Sequence, residues 1–176
     1  SKVLVLALAA LACAPLPARA DTVLKVMTFN TWGGGANEGK SIDETAAVIR
    51  AAGADIVGIQ ETRQEAQSCS EEFCPPASES VAAKLAQALG FHYYDQAKTN
   101  DALWANAILS RHPIGAATPN DLGVAIDVEG RRVFAFNIHF TDFPYQPYQI
   151  VGIPYGDAPF LKTGAEAAQA AGKARG

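Results

Sequence analysis

Along this chain, stretches in which apolar residues recur every second position give way to stretches in which they recur every third or fourth. The first period marks half-buried strands and the second marks helices with one buried face. Val23 to Phe29 is β-rich and closes on Asn30, after which Gly33-Gly34-Gly35 breaks the strand into a loop. Ser41-Ile-Asp-Glu44 has the spacing of a capping box. It predicts a helix that buries Ile42, Ala46, Ile49 and Ala52 and is closed by Gly53. Asp55 to Ile59 is a short, continuous apolar run, a strand buried on both faces, and it ends in Gln60-Glu61. Arg63 to Pro76 reads as a polar loop, and Ser78 to Leu89 as a second helix with Val81, Leu85 and Leu89 inward and Gly90 as its stop.

Closely spaced strands follow at Phe91–Tyr94, Ala102–Ser110, Gly123–Val128 and Arg132–Phe140. Glu129-Gly130 is a two-residue turn that makes the last two a hairpin. In the final strand Phe134, Phe136, Ile138 and Phe140 share one face, expected to be core. Val133, Ala135, Asn137 and His139 share the other, more polar face. Residues 141–160, with Pro144, Pro147, Pro154 and Pro159, read as one long irregular loop that includes Tyr145-Gln-Pro-Tyr148. Thr163 to Ala174 reads as an Ala-rich helix. Strands first, helices between them and no internal repeat predict a mixed α/β layered domain.

Composition narrows the class. At 176 residues and 49% apolar content the chain has room for one packed domain. Its first 20 residues are set apart as a secretory signal: Lys2, the apolar run Val3 to Ala12, and the small-x-small segment Ala18-Arg19-Ala20 before Asp21. That run is too short for a membrane span. The expectation is export to a periplasmic or extracellular space, with residues 21–176 forming the domain. Losing Lys2 and Arg19 takes the 14 basic residues to 12 against an unchanged 18 acidic ones, a net of −6. No Lys/Arg run remains, so the basic stripe of a non-specific duplex binder is absent from the sequence. A nuclease stays possible, because a bound divalent cation neutralises phosphate locally. Cys69 and Cys74, a close pair in an exported chain, are expected to form a loop-pinning disulfide, since no second Cys/His pair completes a metal site.

The candidate chemistry lies at strand ends, where ligands bind in layered α/β proteins. Glu61 is the strongest position: a carboxylate at the rim of a buried strand suits a hard cation such as Mg²⁺, which takes one or two carboxylates and keeps places for phosphate oxygens. Taken alone, Glu61 is equally an acid capping the next turn. Asn30 has the same placement on the first strand, where its amide can ligate a metal or orient a phosphate or the Glu61 carboxylate; Asn before a Gly-rich loop is also a common turn former. His139 ends the last strand beside Asn137, a setting that His92 and His112 lack, although a lone His is more often structural. Arg63, on the same side as Glu61 if the chain stays extended, suits a phosphate clamp, the alternative being a surface salt bridge. Asn106 and Asp142 are weaker candidates for phosphate contact, and Asn106, which opens the apolar run from Ala107 to Arg111, is equally a cap for that strand. Gly156-Asp157-Ala158-Pro159 lacks the amide of a phosphoesterase Gly-Asp-x-Asn signature, and Asp157 gets no role.

Phe29-Asn30, Ile59-Gln60-Glu61-Thr62, Asn106-Ala-Ile-Leu-Ser-Arg-His-Pro113 and Phe136-Asn137-Ile138-His139, in this order, resemble the endonuclease/exonuclease/phosphatase superfamily. This is the group of deoxyribonuclease I-like nucleases and bacterial sphingomyelinases. The resemblance spans residues 23–140 and implies a two-sheet α/β sandwich with helices outside. It implies that Glu61 is the main Mg²⁺ ligand (Mn²⁺ or Ca²⁺ being alternatives), with Asn30 beside it at the metal. His139 would assist the phosphate or leaving group, and Arg63 would contact the backbone phosphate. Trp32 stands where some members carry a further acidic ligand, which makes abasic-site chemistry a poorer fit. The family's later Gly-Asp-x-Asn segment and terminal Asp-His pair do not occur before Gly176. The expectation is therefore the N-terminal portion of a longer domain, inactive as this stretch alone. Its function would be an exported, metal-dependent phosphodiester hydrolase acting as a monomer on nucleic acid or a phospholipid headgroup. The alternative is a non-catalytic binding or toxin-like module on the same fold.

Overall fold

The run Ile56-Val57-Gly58-Ile59-Gln60 has no polar face to offer solvent before its end, and the fold places it at the centre. In the computed structural model, which describes residues 21–64, 79–96, 105–140, 146–154, 160–161, 163–166 and 169, strand β2 (Ile56–Gln60) has neighbours on both sides. It pairs in parallel with β1 (Val26–Asn30) and antiparallel with β4 (Asn106–Ser110), while β3 (His92–Asp95) lies beyond β4. The order is β1-β2-β4-β3. The parallel pair is joined through α1 (Ile42–Ala52), because parallel strands need a crossover.

Helix α1 begins at the expected capping box: the Ser41 hydroxyl accepts from the Glu44 N–H at 3.2 Å, and the Glu44 carboxylate accepts from the Ser41 N–H at 2.9 Å. Gly53 and Gly90 cap α1 and α2 (Ala82–Leu89) in the left-handed conformation. The buried face of α1 is Thr45, Ala46 and Ile49; Ala52, expected inside, is exposed. These helices cover one face of the sheet through a core that includes Ile49, Val57, Ile59, Leu85 and Leu109.

The other face meets a second sheet, β5 (Ile114–Ala117), β6 (Gly123–Val128) and β7 (Arg131–Phe136), in the order β5-β6-β7. Ile56 and Ile108 pack there against Val124, Ile126 and Val128. The architecture is thus a two-sheet α/β sandwich with helices on the outer face of the first sheet. Strand β5 was not expected: Ile-Gly-Ala-Ala offers only one β-branched residue to mark it. The β6–β7 hairpin has the expected turn, with Glu129 and Gly130 both at positive φ, 53° and 75°.

Two expectations are corrected. The aromatic face of the last strand is not core: Phe134 and Phe136 are 56% and 60% exposed, and Phe140 is 67% exposed. The inner face is Val133, Ala135 and Asn137, admitted because the Asn137 amide is fully bonded inside. The segment expected as an irregular loop contains a helix, α3 (Gln146–Val151), whose Pro147 sits in the first turn, where a missing N–H costs no helical bond. The signal segment 1–20, Cys69 and Cys74, Asp142 and Asp157 lie outside the described residues. Among the described residues no helix is long and apolar enough to cross a membrane.

Candidate functional site

Because β1 and β2 run in parallel, Asn30 and Gln60 are register partners at the same sheet edge. Gln60 in turn faces Asn106, where antiparallel β4 begins. The chain leaves this edge through tight bonding. The Thr31 N–H and hydroxyl both donate to the Gln60 carbonyl, at 2.9 and 3.0 Å, and the Gly33 N–H donates to the Glu61 carbonyl at 2.7 Å. The Thr62 N–H donates to Ala105 O at 3.0 Å. Of the five non-glycine residues with positive φ among those described, three lie here: Trp32 (40°), Glu61 (55°) and Ala105 (31°). Left-handed backbone costs such residues about 1–3 kcal/mol each, and it persists where surrounding structure enforces it, often at functional sites.

That backbone brings three distant side chains together. The Glu61 Oε1 atom accepts from Asn30 Nδ2 at 2.8 Å and lies 3.5 Å from His139 Nε2, an ion pair when the imidazole is protonated. Asn30 Oδ1 accepts from the Trp32 N–H at 3.0 Å. Since that N–H can only donate, the amide is oriented with its NH₂ toward the carboxylate. The Glu61 Oε2 atom has no partner among the described residues. The side chains of His139 and Glu61 are 28% and 18% exposed, so the pair is reachable from solvent.

Behind this group sits a polar cluster that sequence reasoning missed. The buried Asn137 NH₂ donates to Ile59 O (2.9 Å), Ala107 O (3.0 Å) and Gln96 Oε1 (3.0 Å), and its Oδ1 accepts from Gln60 Nε2 at 2.6 Å. Gln96 Nε2 donates back to the Asn137 carbonyl at 3.1 Å. The available signal was an amide interrupting an apolar strand face, two residues before His139.

The remaining candidates divide. Asn106 is at the site edge, and its buried Oδ1 accepts no hydrogen bond among the described residues. A lone acceptor does not bind a phosphodiester oxygen, so any phosphate contact falls to its NH₂ group. Strand β2 stops at Gln60 and Glu61 turns left-handed, so strand alternation does not carry partly buried Arg63 to the side of Glu61. Asp142 lies outside the described residues.

The donor set fits a hard divalent cation. Glu61 Oε2 is a free carboxylate oxygen at a solvent-reachable rim, which matches the Mg²⁺ habit of using one or two carboxylates plus water and phosphate oxygens. Among the described residues no group of three or more His, Cys, Asp or Glu side chains converges, so they form no closed cage of the structural-zinc type.

The model of the Endonuclease/Exonuclease/phosphatase family matches residues 27–171. The chain belongs to this family. Members of the endonuclease/exonuclease/phosphatase family are in general hydrolases of phosphoester bonds and typically use divalent metal ions. Solved structures similar to the chain include an endonuclease/exonuclease/phosphatase from Beutenbergia cavernae DSM 12333, at 24% identity and a TM-score of 0.44, covering 66% of this chain and 38% of that one. A family protein from Leptotrichia buccalis C-1013-b is 18% identical, with a TM-score of 0.40 and coverage of 66% and 55%. An AP endonuclease from Archaeoglobus fulgidus is 16% identical, with a TM-score of 0.38 and coverage of 72% and 46%. The chain therefore spans roughly two-fifths to just over half the length of these structures. No curated protein matches it.

Proposed function

We propose that this protein is an exported, divalent-metal-dependent phosphodiester hydrolase, with Asn30, Glu61 and His139 at its reaction centre. The observation that carries the reading is the contact of Glu61 with both Asn30 and His139, which joins the ends of β1, β2 and β7 at one solvent-reachable edge. Glu61 Oε2 would hold the cation (Mg²⁺, with Mn²⁺ and Ca²⁺ as alternatives), while Oε1 stays bonded to Asn30. When bound, the ion supplies positive charge that neutralises the phosphate and polarises its P–O bonds. In the hydrolysis a water oxygen bonds to phosphorus as the opposite P–O bond breaks, and a proton reaches the departing oxygen. His139 Nε2 would donate a hydrogen bond to a phosphate or departing oxygen and so stabilise charge that develops there. Asn106, Arg63 and Asp142 are proposed as further phosphate contacts.

The substrate proposed is a phosphodiester of nucleic acid or of a phospholipid headgroup. Export rests on Lys2, the apolar run after it and Ala18-Arg19-Ala20, and the Cys69–Cys74 disulfide is proposed as a consequence of the oxidising compartment.

The test is hydrolysis of bis(p-nitrophenyl) phosphate by the protein expressed from its complete reading frame. We expect Mg²⁺-dependent turnover that EDTA abolishes and that Glu61→Ala lowers at least about 100-fold, as loss of a charge-stabilising group at a reaction centre does. Turnover indifferent to EDTA or to Glu61→Ala overturns the proposal. Plasmid DNA and sphingomyelin vesicles, tried in parallel, separate the two substrate classes.

A further inference from the structure

The two halves of the reaction centre come from different sheets. Glu61 follows β2 of the first sheet, and His139 follows β7 of the second, so their spacing depends on how the sheets are held together at this edge. Apolar packing between sheets, around Ile56, Ile108 and Val124, is non-directional and tolerates small slides. Directional bonds are needed to fix a separation of a few ångströms. Between Asn137 and His139 no backbone hydrogen bond is made among the described residues; the last one on the strand is Asn137 N–H to Leu122 O at 2.8 Å.

We infer that Asn137 is the positioning residue of this site: its amide, clasped by Gln60 and Gln96, sets the spacing between Glu61 on one sheet and His139 on the other. Gln60 precedes Glu61 by one residue and Asn137 precedes His139 by two, and the 2.6 Å bond between their side chains crosses 77 residues of sequence. The polarity of the arrangement is fixed. The carbonyls of Ile59 and Ala107 can only accept, so the NH₂ group of Asn137 must face the first sheet, which leaves Oδ1 for Gln60. Gln96 locks both the side chain and the carbonyl of Asn137, pinning the backbone from which His139 projects. The site also leaves no slack: a Cβ on Gly58 would lie 2.7 Å from Asn137 Oδ1. A carboxylate cannot stand in, because Asn137→Asp would turn an acceptor toward three acceptors.

This inference rests on the proposed phosphodiesterase reading for its kinetic arm, and the test therefore carries a second arm that needs no activity. Asn137→Asp and Gln60→Met are prepared in the protein expressed from its complete reading frame, and folding is checked by circular dichroism. In metal-free protein, NMR follows the nuclear Overhauser contacts between the Glu61 γ-protons and the His139 ring. With Mg²⁺ and bis(p-nitrophenyl) phosphate, kcat and KM are measured separately. We expect the contacts to vanish and kcat to fall about 10–100-fold with KM within about twofold, the range seen when outer-shell partners of a metal site are removed. A purely structural strut lowers the unfolding midpoint and leaves both readouts intact in the folded variants; that result overturns the inference. If Asn137→Asp does not fold, Gln60→Met decides alone: it keeps the volume and removes the 2.6 Å bond to Asn137 along with the longer ones to the Thr28 hydroxyl (3.2 Å) and the Gly58 carbonyl (3.3 Å), both of which lie within the first sheet. If the parent protein shows no hydrolysis, the functional reading fails, and the NMR arm still decides whether Asn137 sets the spacing.

Discussion

Gly58→Ala is the most informative small change in this chain. Strand geometry alone favours alanine there, since glycine inside a strand costs conformational entropy, and the replacement would ordinarily gain about 0.5–1 kcal/mol. The structure predicts the opposite sign. The added methyl would sit 2.7 Å from Asn137 Oδ1 and 3.1 Å from its Cγ, so the amide would have to retreat by several tenths of an ångström. It cannot rotate away, because its NH₂ is held by Ile59 O, Ala107 O and Gln96 and its oxygen by Gln60. Overpacking of this kind costs about 1–3 kcal/mol, and loss of the Gln60 bond adds about 1 kcal/mol. Net destabilisation of about 1–3 kcal/mol follows once the entropic gain is set against it. The assay is urea unfolding of four proteins: parent, Gly58→Ala, Asn137→Ala and the double variant. In the Asn137→Ala background the obstacle is gone, so Gly58→Ala should become neutral or stabilising, giving a coupling energy of at least about 1 kcal/mol. An unchanged effect of Gly58→Ala in the two backgrounds refutes the reasoning, as does a Gly58→Ala variant at least as stable as the parent.

Other consequences are local. The Glu44 carboxyl is held below its usual 4.5, first by the Ser41 N–H, then by the Ser41 hydroxyl and the Lys40 ammonium. Its contribution is therefore fully present above pH 4.5 and is lost as pH falls through the lower folded-state value. The stability difference between parent and Glu44→Gln, followed by urea unfolding, should shrink over that acid window; a difference that grows toward acid contradicts the sign. Glu129 occupies the first left-handed position of the β6–β7 turn, with φ of 53°, where Asn-Gly is the preferred pair. In a Thr22→Val background, which removes the Thr22 hydroxyl bond to the Glu129 carboxylate at 2.8 Å, Glu129→Asn should raise the unfolding midpoint; a lower midpoint there refutes it. If residues 1–20 are a cleaved leader, intact-mass analysis of the exported protein should place its first residue at Asp21.

Much of the framework was legible because it is local. The capping box at Ser41 and Glu44, the stops at Gly53 and Gly90, the doubly buried run before Gln60 and the Glu129-Gly130 turn each express their physics within a few residues. The errors came where inside and outside had to be assigned. Period-2 alternation in Val133 to Phe140 was plain, but choosing the aromatic face as core weighed side-chain size against a polar residue. Asn137 inverts that weighing: a buried amide whose partners are all supplied is no penalty, and those partners come from β2, β4 and the end of β3, which no local window contains. The loop expectation at Gln146-Pro147 treats proline as a breaker, whereas the first helical turn of α3 accepts it.

The candidate site shows the same divide in sharper form. That Glu61 and Asn30 end adjacent strands followed from the strand-crossover-strand pattern around the first helix, and parallel pairing then brings an amide and a carboxylate within 2.8 Å although 31 residues separate them. What no strand-end argument supplied is the backbone at Glu61. An extended chain would have alternated Glu61, Thr62 and Arg63 across the sheet edge, with Arg63 beside the carboxylate. The left-handed turn at Glu61 instead sends Thr62 inward, where its hydroxyl accepts from Ser80 at 2.9 Å and its N–H donates to Ala105. The carboxylate is thereby held at the rim by bonding on both sides of it, from Thr31 and Gly33 before and from Thr62 after. A side chain fixed through its backbone in this way can present one oxygen to Asn30 and His139 and keep the other for a cation without rearranging. For that reason the proposal of a reaction centre at this edge of the sandwich rests on the strained backbone at Glu61 and not on its charge alone.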